Sequence, residues 1–567
     1  QPPVPAQPPV PAQPPVPAQP PVPAQPPVPA QPAQRGRPAR RGRPPALAQP
    51  PTPAPSPAPA SQATSPDGTV WTDQPTPAVR RAPANTLTQA MGPKNLGGAS
   101  TPLELFELFL PATMLQIIVQ FTNVEGLAKR GRSWTNITMM ELRSALGLIL
   151  FLGLTKSGHE RVQSFWKPGP FARSLCQATM AGKRFKDITS LLCFADKTTW
   201  VQRKATDKFA PIREVFEIFA AALRNHFSPG ECLTIDEQLV AFRGRCSFKQ
   251  YMPKKPAKYG LKFWASVDSA THYVHNMQPY IGKERDQVER ELGARVVKEL
   301  IQPVLGTGRN VTADNFFISK SLADYLITQK TTIVGTIKGN RREVPRDMRK
   351  ENTKRRPVKS SHFRFSGMNT LVSYVPKKNK NVLLFSTLHH EATVDPTSQK
   401  PEIIHYYNAT KAGVDTVDQM CSVYNCARVT NRWPVVVFYH IINCAAINAY
   451  VLYHQLHPQL RGTRHDFLEN LILALTRPQI EMRRQQPDLL RRVVIDALKQ
   501  IQLPAVFPHK PQVPAGRTPQ QRCQFCPAGQ RSKTALRCDE CQKPVCKVHG
   551  DVHTVRHVSC PECLMAE

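Results

Sequence analysis

Three separated segments of the chain each carry aspartate in a similar setting. They read TIDEQ at 234–238, ADNFF at 313–317 and GVDTVDQ at 413–419. Carboxylates that a fold brings together from distant segments can hold a pair of hard divalent cations. A site of this kind can cleave and join phosphodiesters, so these segments are the first candidates for chemistry.

The neighbouring residues predict where each aspartate lies. Asp236 and Asp314 each follow a short β-prone run, and aspartate fits best where a strand ends. Asp415 and Asp418 are three residues apart in a predicted helix, so they should share one face. Taken singly, each aspartate could instead cap a helix or close a turn. The three segments together favour the cation site, because neighbouring carboxylates repel unless a cation lies between them.

The composition indicates a polyanionic partner and more than one domain. The 567 residues carry a formal net charge of +34, and the 57 prolines are concentrated at the start. Nucleic acid fits this charge better than a membrane does. The apolar stretch 142–154 is too short to span a bilayer, and 435–453 contains His440, Asn443 and Asn448, so both are predicted to be buried core helices. No signal-peptide pattern is present, and we expect an intracellular protein.

Hydrophobic periodicity divides the chain into helical and mixed regions. Residues 101–229 have the pattern of amphipathic helices, and capping boxes begin at Thr101 and Thr138. From residue 231, strand-like runs alternate with helical ones, an order that suits a central mixed sheet flanked by helices. Residues 338–400 contain short, basic, β-like pieces, which we interpret as an insertion between the second and third aspartate segments.

Helices resume near residue 414 and are predicted to pack against the first helices, giving one DNA-binding and dimerisation module. The predicted organisation is a disordered Pro-rich leader (1–100), the helical module's first part (101–230), the catalytic core's first part (231–337), the insertion (338–400), the core's last part (401–430), the helical module's second part (431–503), a linker (504–522) and a cysteine-rich zinc domain (523–567).

The leader repeats the unit QPPVPA and cannot bury enough apolar surface to fold. It contains two RGRP sequences, each resembling an AT-hook core, in which a flat Arg-Gly-Arg segment lies in a narrow A·T minor groove. The side chains predicted to reach the floor of the groove are Arg35, Arg37, Arg41 and Arg43. A solvated basic kink in a Pro-rich linker is the alternative.

The C-terminal region holds seven of the 14 cysteines in zinc-ligand spacing. We predict two Zn²⁺ ions in a cross-brace, in which alternate ligand pairs share an ion, and His553 or His557 could replace His549. One ion takes Cys523, Cys526, Cys546 and His549, and the other takes Cys538, Cys541, Cys560 and Cys563. Disulfides are the weaker alternative, because paired CxxC motifs in a basic intracellular protein favour metal.

Basic residues near the aspartate segments are candidates for phosphate contacts, since each neutralised phosphate strengthens binding. A solvated charged surface is the alternative for each. The candidates are Arg243, Arg245, Lys254, Lys255, Lys258, Arg341 and Arg342.

Five segments resemble the piggyBac family of transposases. They are 233–244 (LTIDEQLVAFRG), 253–260 (PKKPAKYG), 312–317 (TADNFF), 413–423 (GVDTVDQMCSV) and 431–434 (NRWP). The motifs come in the family's order, and the resemblance extends from about residue 101 to the C-terminus. The chain departs from the family in its Pro-rich N-terminus, which lacks the usual acidic tract, and in a longer spacer before the last cysteine pair.

The resemblance implies an α/β RNase H-like catalytic core embedded in the helical module. It also implies a catalytic triad of Asp236, Asp314 and Asp415, with Asp418 as a further required acid. Two Mg²⁺ or Mn²⁺ ions held by the triad would catalyse the reaction. Its steps are nicking of double-stranded DNA at the transposon ends, hairpin formation and joining at TTAA. A homodimer and a nuclear location are expected on the same basis.

The family resemblance also implies that the cysteine-rich domain binds transposon ends, through Arg531, Lys533 and Lys547. A RING-like or histone-reading role competes with this interpretation.

Two functions from different classes remain open. The first is an active transposase, which the intact acidic set favours. The second is a domesticated, transposase-derived DNA- or chromatin-binding protein without catalysis, which the AT-hook-like leader slightly favours. A ubiquitin ligase that uses the zinc tail fits poorly with a chain whose bulk resembles a nuclease core.

Overall fold

The structure is a computed structural model that describes most of the chain after the leader. The described residues are 61–75, 86–169, 171–282, 289, 291–353, 355–486, 490–501, 521–523, 525–526, 533–534, 536–537, 544–546, 551–553 and 557–559.

The predicted capping boxes begin two of the helices. The hydroxyl of Thr101 accepts from the Glu104 N–H at 3.3 Å, and that of Thr138 accepts from the Glu141 N–H at 3.2 Å. The helices are α1 (Pro102–Glu107), α2 (Ala112–Arg130), α3 (Met139–Leu154), α4 (Ser174–Thr179), α5 (Gly182–Leu191), α6 (Lys197–Thr206), α7 (Arg213–Asn225), α8 (Leu292–Ile301), α9 (Lys320–Thr328), α10 (Lys350–Thr353), α11 (Glu402–Thr410), α12 (Gly413–Val423), α13 (Trp433–Leu456), α14 (Arg464–Arg484) and α15 (Arg492–Gln500).

Most of the described strands join one central sheet, and the others form two-stranded sheets. The strands are β1 (Gln62–Thr64), β2 (Val70–Thr72), β3 (Gly92–Pro93), β4 (Phe227–Ser228), β5 (Cys232–Ala241), β6 (Gln250–Tyr251), β7 (Tyr259–Asp268), β8 (Val274–Pro279), β9 (Asn310–Ala313), β10 (Thr332–Thr336), β11 (Ser361–Ser366), β12 (Asn369–Tyr374), β13 (Val382–Ser386), β14 (Gln521–Arg522), β15 (Lys533–Thr534), β16 (Asp551–His553) and β17 (His557–Ser559). The two-stranded sheets pair β3 with β4, β14 with β15 and β16 with β17.

The central sheet is mixed, as predicted. Its order is β1-β2-β11-β12-β13-β10-β9-β5-β7-β6, with β8 beside β7. The pairs β5–β9 and β9–β10 are parallel, whereas β5–β7 and β10–β13 are antiparallel. The two parallel pairs at the centre bring the carboxyl ends of β5 and β9 to one edge.

Side-chain alternation along the central strands places apolar side chains on both faces of the sheet. Leu233 and Ile235 of β5 pack with residues of α8 and α9 on one face. Phe263 of β7 belongs to a larger apolar cluster on the other face, which includes residues of α3, α7 and α13. Helices therefore cover the sheet on both sides, as the sequence predicts.

The helices before and after the sheet pack together, as predicted. The Ser144 hydroxyl donates to the Leu475 carbonyl at 3.2 Å, which joins α3 to α14. A Cβ atom on Gly147 would lie 2.7 Å from Cγ2 of Thr476, so the close approach of these helices requires glycine. The DNA-binding and dimerisation role of this helical layer stays a prediction.

One helix in the described part of the chain, α13, is long and apolar enough to cross a membrane. Of its most apolar window, 94% is buried inside the protein. Its burial confirms the prediction of a core helix. Pro434 lies in its first turn, and Trp433 packs against the ring of Phe248 at 5.0 Å, as expected for core packing.

The prediction that residues 1–100 are disordered is wrong for residues 61–75 and 86–100. Strands β1 and β2 extend the edge of the central sheet, where Thr72 pairs with Phe365 of β11. Trp71 is fully buried and meets the Phe385 ring edge-to-face at 6.4 Å. Burial of this one large aromatic side chain holds the segment against the sheet. The proline-rich composition around it had predicted disorder.

The segment 338–400, predicted to be an insertion, continues the central sheet. Strand β13 pairs with β10, and β12 and β11 extend the sheet outward to β2. These strands are therefore part of the same sheet as β5 and β9. The predicted domain boundaries are otherwise untested.

Replacing Trp71 with alanine is expected to destabilise the protein by about 3–5 kcal/mol, because it removes a large buried side chain and leaves a cavity. The free energy of unfolding, from denaturant titration, measures the effect. Val70 in the same hairpin is 50% exposed, so Val70→Ala is the matched control and should cost far less. Equal losses for the two variants would contradict the packing of this segment.

Candidate active site

The two strand aspartates lie side by side in the middle of the sheet, at the point where the parallel pairing of β5 with β9 ends. Parallel pairing of β5 with β9 ends where Ile235 opposes Ala313, so Asp236 and Asp314 are the next residues on adjacent strands. Adjacent strands are about 4.8 Å apart. Asp314 follows β9, as predicted. Asp236, predicted at a strand end, instead lies within the ten-residue β5, because antiparallel pairing with β7 continues after pairing with β9 stops.

The connection between α11 and α12 is fixed directly on these two strands. The Thr234 hydroxyl donates to the Thr410 carbonyl at 2.6 Å, and the Thr312 and Thr410 hydroxyls are 2.8 Å apart. A Cβ atom on Gly413 would lie 2.6 Å from Oγ1 of Thr234, so glycine lets α12 begin against the sheet. Thr234 and Asp236 share a face of β5, which therefore faces α12.

Asp415 and Asp418 both lie on α12, as predicted, and each contacts the sheet side of the site. Gln238 donates to Oδ1 of Asp418 at 2.8 Å. Lys255 Nζ lies 3.8 Å from Oδ1 of Asp415 and donates to the Glu237 carbonyl at 3.0 Å. The Asp415 side chain is 69% exposed, so solvent weakens this ion pair.

Two of the acidic residues have raised pKa values. Burial, together with the charges of Glu237 and Asp314, raises the pKa of Asp236 to about 7. Burial raises the pKa of Asp418 to about 6, against the hydrogen bond from Gln238. Crowded carboxylate oxygens of this kind suit a hard divalent cation, which would relieve their repulsion.

The carboxylates are not all in close contact. Among the described residues, three other groups of potential ligands have all their ligand atoms within 4.8 Å of one another, and the aspartate set does not. The strand register brings Asp236 and Asp314 together. Asp415, in contrast, extends toward Lys255.

A lysine that the sequence reasoning missed also borders this site. Lys262 Nζ lies 3.6 Å from the centre of the Trp264 ring and 3.8 Å from Oε2 of Glu237. Burial lowers its pKa, although the charges of Glu237, Asp236 and Asp314 oppose that effect. The available signal was a lysine inside the otherwise apolar run that forms β7.

The predicted basic residues separate into two places. Arg243 and Lys255 line one cleft of about 700 Å³ together with Asp418 and Arg428, a residue the sequence reasoning did not select. Arg245, Lys254 and Lys258 are exposed nearby on the connections between β5 and β7, whereas Arg341 and Arg342 follow β10.

Three of the predicted zinc ligands converge in the cysteine-rich tail. The sulfur atoms of Cys523, Cys526 and Cys546 lie within 4.8 Å of one another, with 3.8 Å between those of Cys526 and Cys546. This group matches the predicted alternate-pair arrangement, because Cys546 joins the first pair. The donors suit a zinc ion, since four thiolate or imidazole ligands around Zn²⁺ are spaced about this far apart.

Other predicted site residues lie outside the described residues. They are Arg35, Arg37, Arg41, Arg43, Arg531, Cys538, Cys541, Lys547, His549, Cys560 and Cys563.

Comparisons with known proteins agree with this architecture. A family model described as Transposase IS4 matches residues 101–450, more than half of the chain, so the protein is of the transposase class. Within that class, the chain belongs to the piggyBac family of transposases. It is 34% identical to the chain in a cryo-EM structure of the piggyBac transposase synaptic complex with hairpin DNA. That likeness has a TM-score of 0.69 and covers 84% of this chain and 100% of the other.

Curated relatives are human proteins derived from such elements. The chain is 26% identical over 399 residues to PiggyBac transposable element-derived protein 3 of Homo sapiens, covering 65% of this chain and 63% of that protein. It is 19% identical over 426 residues to PiggyBac transposable element-derived protein 5 of Homo sapiens, covering 70% and 80% respectively. The chain thus spans less than two thirds of the length of the first of these relatives.

Replacing Asp236 with asparagine is expected to stabilise the metal-free protein, increasingly so as pH rises. The raised folded-state pKa means that the folded form holds the Asp236 proton more tightly than the unfolded form. That contribution to stability is present at low pH and is lost as pH rises to about 7. Between pH 5 and pH 8 the advantage of the variant should grow by roughly 2–3 kcal/mol.

Denaturant unfolding in chelator at both pH values tests this prediction. Asp324→Asn is the control, because Asp324 pairs with Lys320 on the surface of α9 at 2.6 Å. An advantage of the Asp236 variant that does not change with pH would refute the assigned electrostatics.

Proposed function

We propose that this protein is a DNA transposase that acts by metal-dependent phosphodiester chemistry. The observation that carries the proposal is the placement of Asp236 and Asp314 on adjacent parallel strands, beside the helix that bears Asp415 and Asp418. Membership of the piggyBac family supports it, as does the likeness to a solved transposase.

Asp236, Asp314 and Asp415 would hold two Mg²⁺ or Mn²⁺ ions, which when bound would activate a water or a DNA 3′-OH and stabilise the leaving oxygen. The carboxylate donors fit such hard cations. Lys255 balances the charge of Asp415 and borders the cleft, where it can meet a DNA phosphate. The hydrogen bond from Gln238 to Asp418 holds α12 in place on β5, so we assign Asp418 to positioning.

The steps on DNA are proposed from the family. The protein would nick the 3′ ends of the element, and each 3′-OH would attack the opposite strand to give a hairpin. The freed ends would then join a TTAA target. The solved relative is a synaptic complex with hairpin DNA, which supports the hairpin step. We further propose a homodimer in the nucleus, with a Zn²⁺-loaded tail that binds the transposon ends.

An excision assay in cells tests this function. A reporter gene interrupted by the element's own flanking ends is co-expressed with the protein, and precise restoration at TTAA is measured. The purified full-length chain should also nick end DNA with Mg²⁺ and not with chelator. Binding of the ends without excision or nicking would reject the catalytic proposal.

The second candidate is a DNA- or chromatin-binding protein that has lost catalysis. The observation that favours it is the outward position of Asp415, whose carboxylate contacts Lys255 instead of completing a compact group with Asp236 and Asp314. Retained binding of the ends with no Mg²⁺-dependent cleavage is the result that this candidate predicts.

A further inference from the structure

A second cluster of metal-binding side chains lies between α12 and α13, beyond the aspartates. Cys421 lies on α12, and His440 and Cys444 lie one turn apart on α13. Their ligand atoms are all within 4.8 Å of one another. The family match assigns no role to this group, and none of the three residues was predicted as a metal ligand from the sequence.

The spacing within the cluster is that of ligands around one ion. The Cys444 sulfur lies 3.9 Å from Nδ1 and 3.8 Å from Nε2 of His440. Tetrahedral Zn²⁺, with bonds of about 2.3 Å to sulfur and about 2.0–2.1 Å to nitrogen, separates its ligand atoms by roughly 3.5–3.8 Å. Because the sulfur is nearly equidistant from both nitrogens, the imidazole would turn about its Cβ–Cγ bond to direct one of them at the ion.

The neighbourhood of the cluster also suits a cation. Asp418 lies three residues before Cys421 on α12, and both line the same cleft. A carboxylate beside two thiols in a mostly buried site favours a positive ion.

His440 has poor hydrogen-bonding partners for a buried imidazole. It is 5% exposed, and within the described part of the chain its hydrogen-bonding neighbours are the sulfur atoms of Cys421 and Cys444. Thiols are weak hydrogen-bonding groups, so a metal ion would satisfy the ring better than they do.

An ion can reach this cluster from solvent. Cys421, His440 and Asp418 all line the cleft of about 700 Å³ that also contains Arg243 and Lys255. A site with three protein ligands and an open fourth position takes a water from such a cleft.

We propose that Cys421, His440 and Cys444 bind one Zn²⁺ ion, with its fourth position open to the cleft. Sulfur and imidazole donors select Zn²⁺ over the Mg²⁺ that suits the aspartates. The Cys421 and Cys444 thiols both release their protons to solvent when the ion binds. The ion ties α12 to α13 and so fixes the helix that carries Asp415 and Asp418.

The metal content of the purified full-length chain tests the site. Elemental analysis should find one more zinc per chain in the wild type than in Cys421→Ser/Cys444→Ser. The matched control is Cys193→Ser, because the Cys193 thiol is buried away from the cluster and donates to the backbone carbonyl of Ala195 at 3.3 Å. Equal zinc content in the wild type and the double variant overturns the proposal.

Cobalt provides a second measurement that does not rely on the folding of that variant. In the full chain with all seven cysteines between residues 523 and 563 changed to serine, added Co²⁺ should produce thiolate charge-transfer absorption and the intense visible bands of a tetrahedral ion. Adding His440→Asn should weaken those bands. A featureless spectrum in the first variant overturns the proposal, and so does a mass-detected disulfide between Cys421 and Cys444 in the wild type.

Discussion

Asparagine in place of Asp314 is expected to abolish DNA excision and leave the fold intact. Oδ1 of Asp314 accepts from the Phe316 N–H at 2.8 Å, and the asparagine carbonyl can keep this hydrogen bond. The change therefore removes a negative charge beside Asp236 with little change in shape. Since the carboxylates are proposed to hold the cations that carry the reaction, we expect excision to fall roughly hundredfold or more.

Three measurements on the same variant separate catalysis from folding. Excision from the reporter should be lost, whereas the melting temperature and the affinity for end DNA should stay close to those of the wild type. Asp324→Asn is the matched control, because Asp324 forms a partly exposed ion pair with Lys320 away from the site. Excision by Asp314→Asn at the wild-type rate would remove Asp314 from the proposed mechanism.

Replacing Cys546 with serine is expected to unfold the cysteine-rich tail. Cys546 meets Cys523 and Cys526 within 4.8 Å, and Val545 beside it is fully buried. Zinc supplies about 10–16 kcal/mol to small structural sites, far more than the short β14–β15 pairing can replace. Loss of one thiolate should therefore release the tail.

Limited proteolysis and zinc analysis of the full-length chain measure this effect. The tail of the variant should be cleaved rapidly after residue 520 and contain less zinc, while the sheet and its helices keep their melting temperature. Cys193→Ser should leave both the tail and the zinc content unchanged. A Cys546→Ser tail that resists protease as well as the wild type does would contradict the zinc site there.

Local patterns predicted the parts of the structure that depend on near neighbours. The capping boxes at Thr101 and Thr138 begin helices, and the run before Asp314 forms a strand. Asp415 and Asp418 lie on one helix because their spacing and flanks specify it. The family motifs then indicated that these distant segments belong to one site.

Contacts between distant segments were not predictable from local patterns. Trp71 lies in a proline-rich region, and only the distant β11 shows that it belongs to the sheet. The position of Asp236 inside β5 depends on how far β7 extends beyond β9. Cys421 and His440 come together only because α12 and α13 pack side by side.

The long-range pairing of the sheet and helices constrains the order in which the chain can fold during synthesis. Ser144 and Leu475, which join α3 to α14, are 331 residues apart, and Thr72 bonds to Phe365 across 293 residues. The apolar face of α3 therefore stays exposed until α14, which covers it, has been synthesised. Exposed apolar surface on folding intermediates favours their aggregation. Shortened proteins that end before α14 should be insoluble, even though they retain every aspartate of the site.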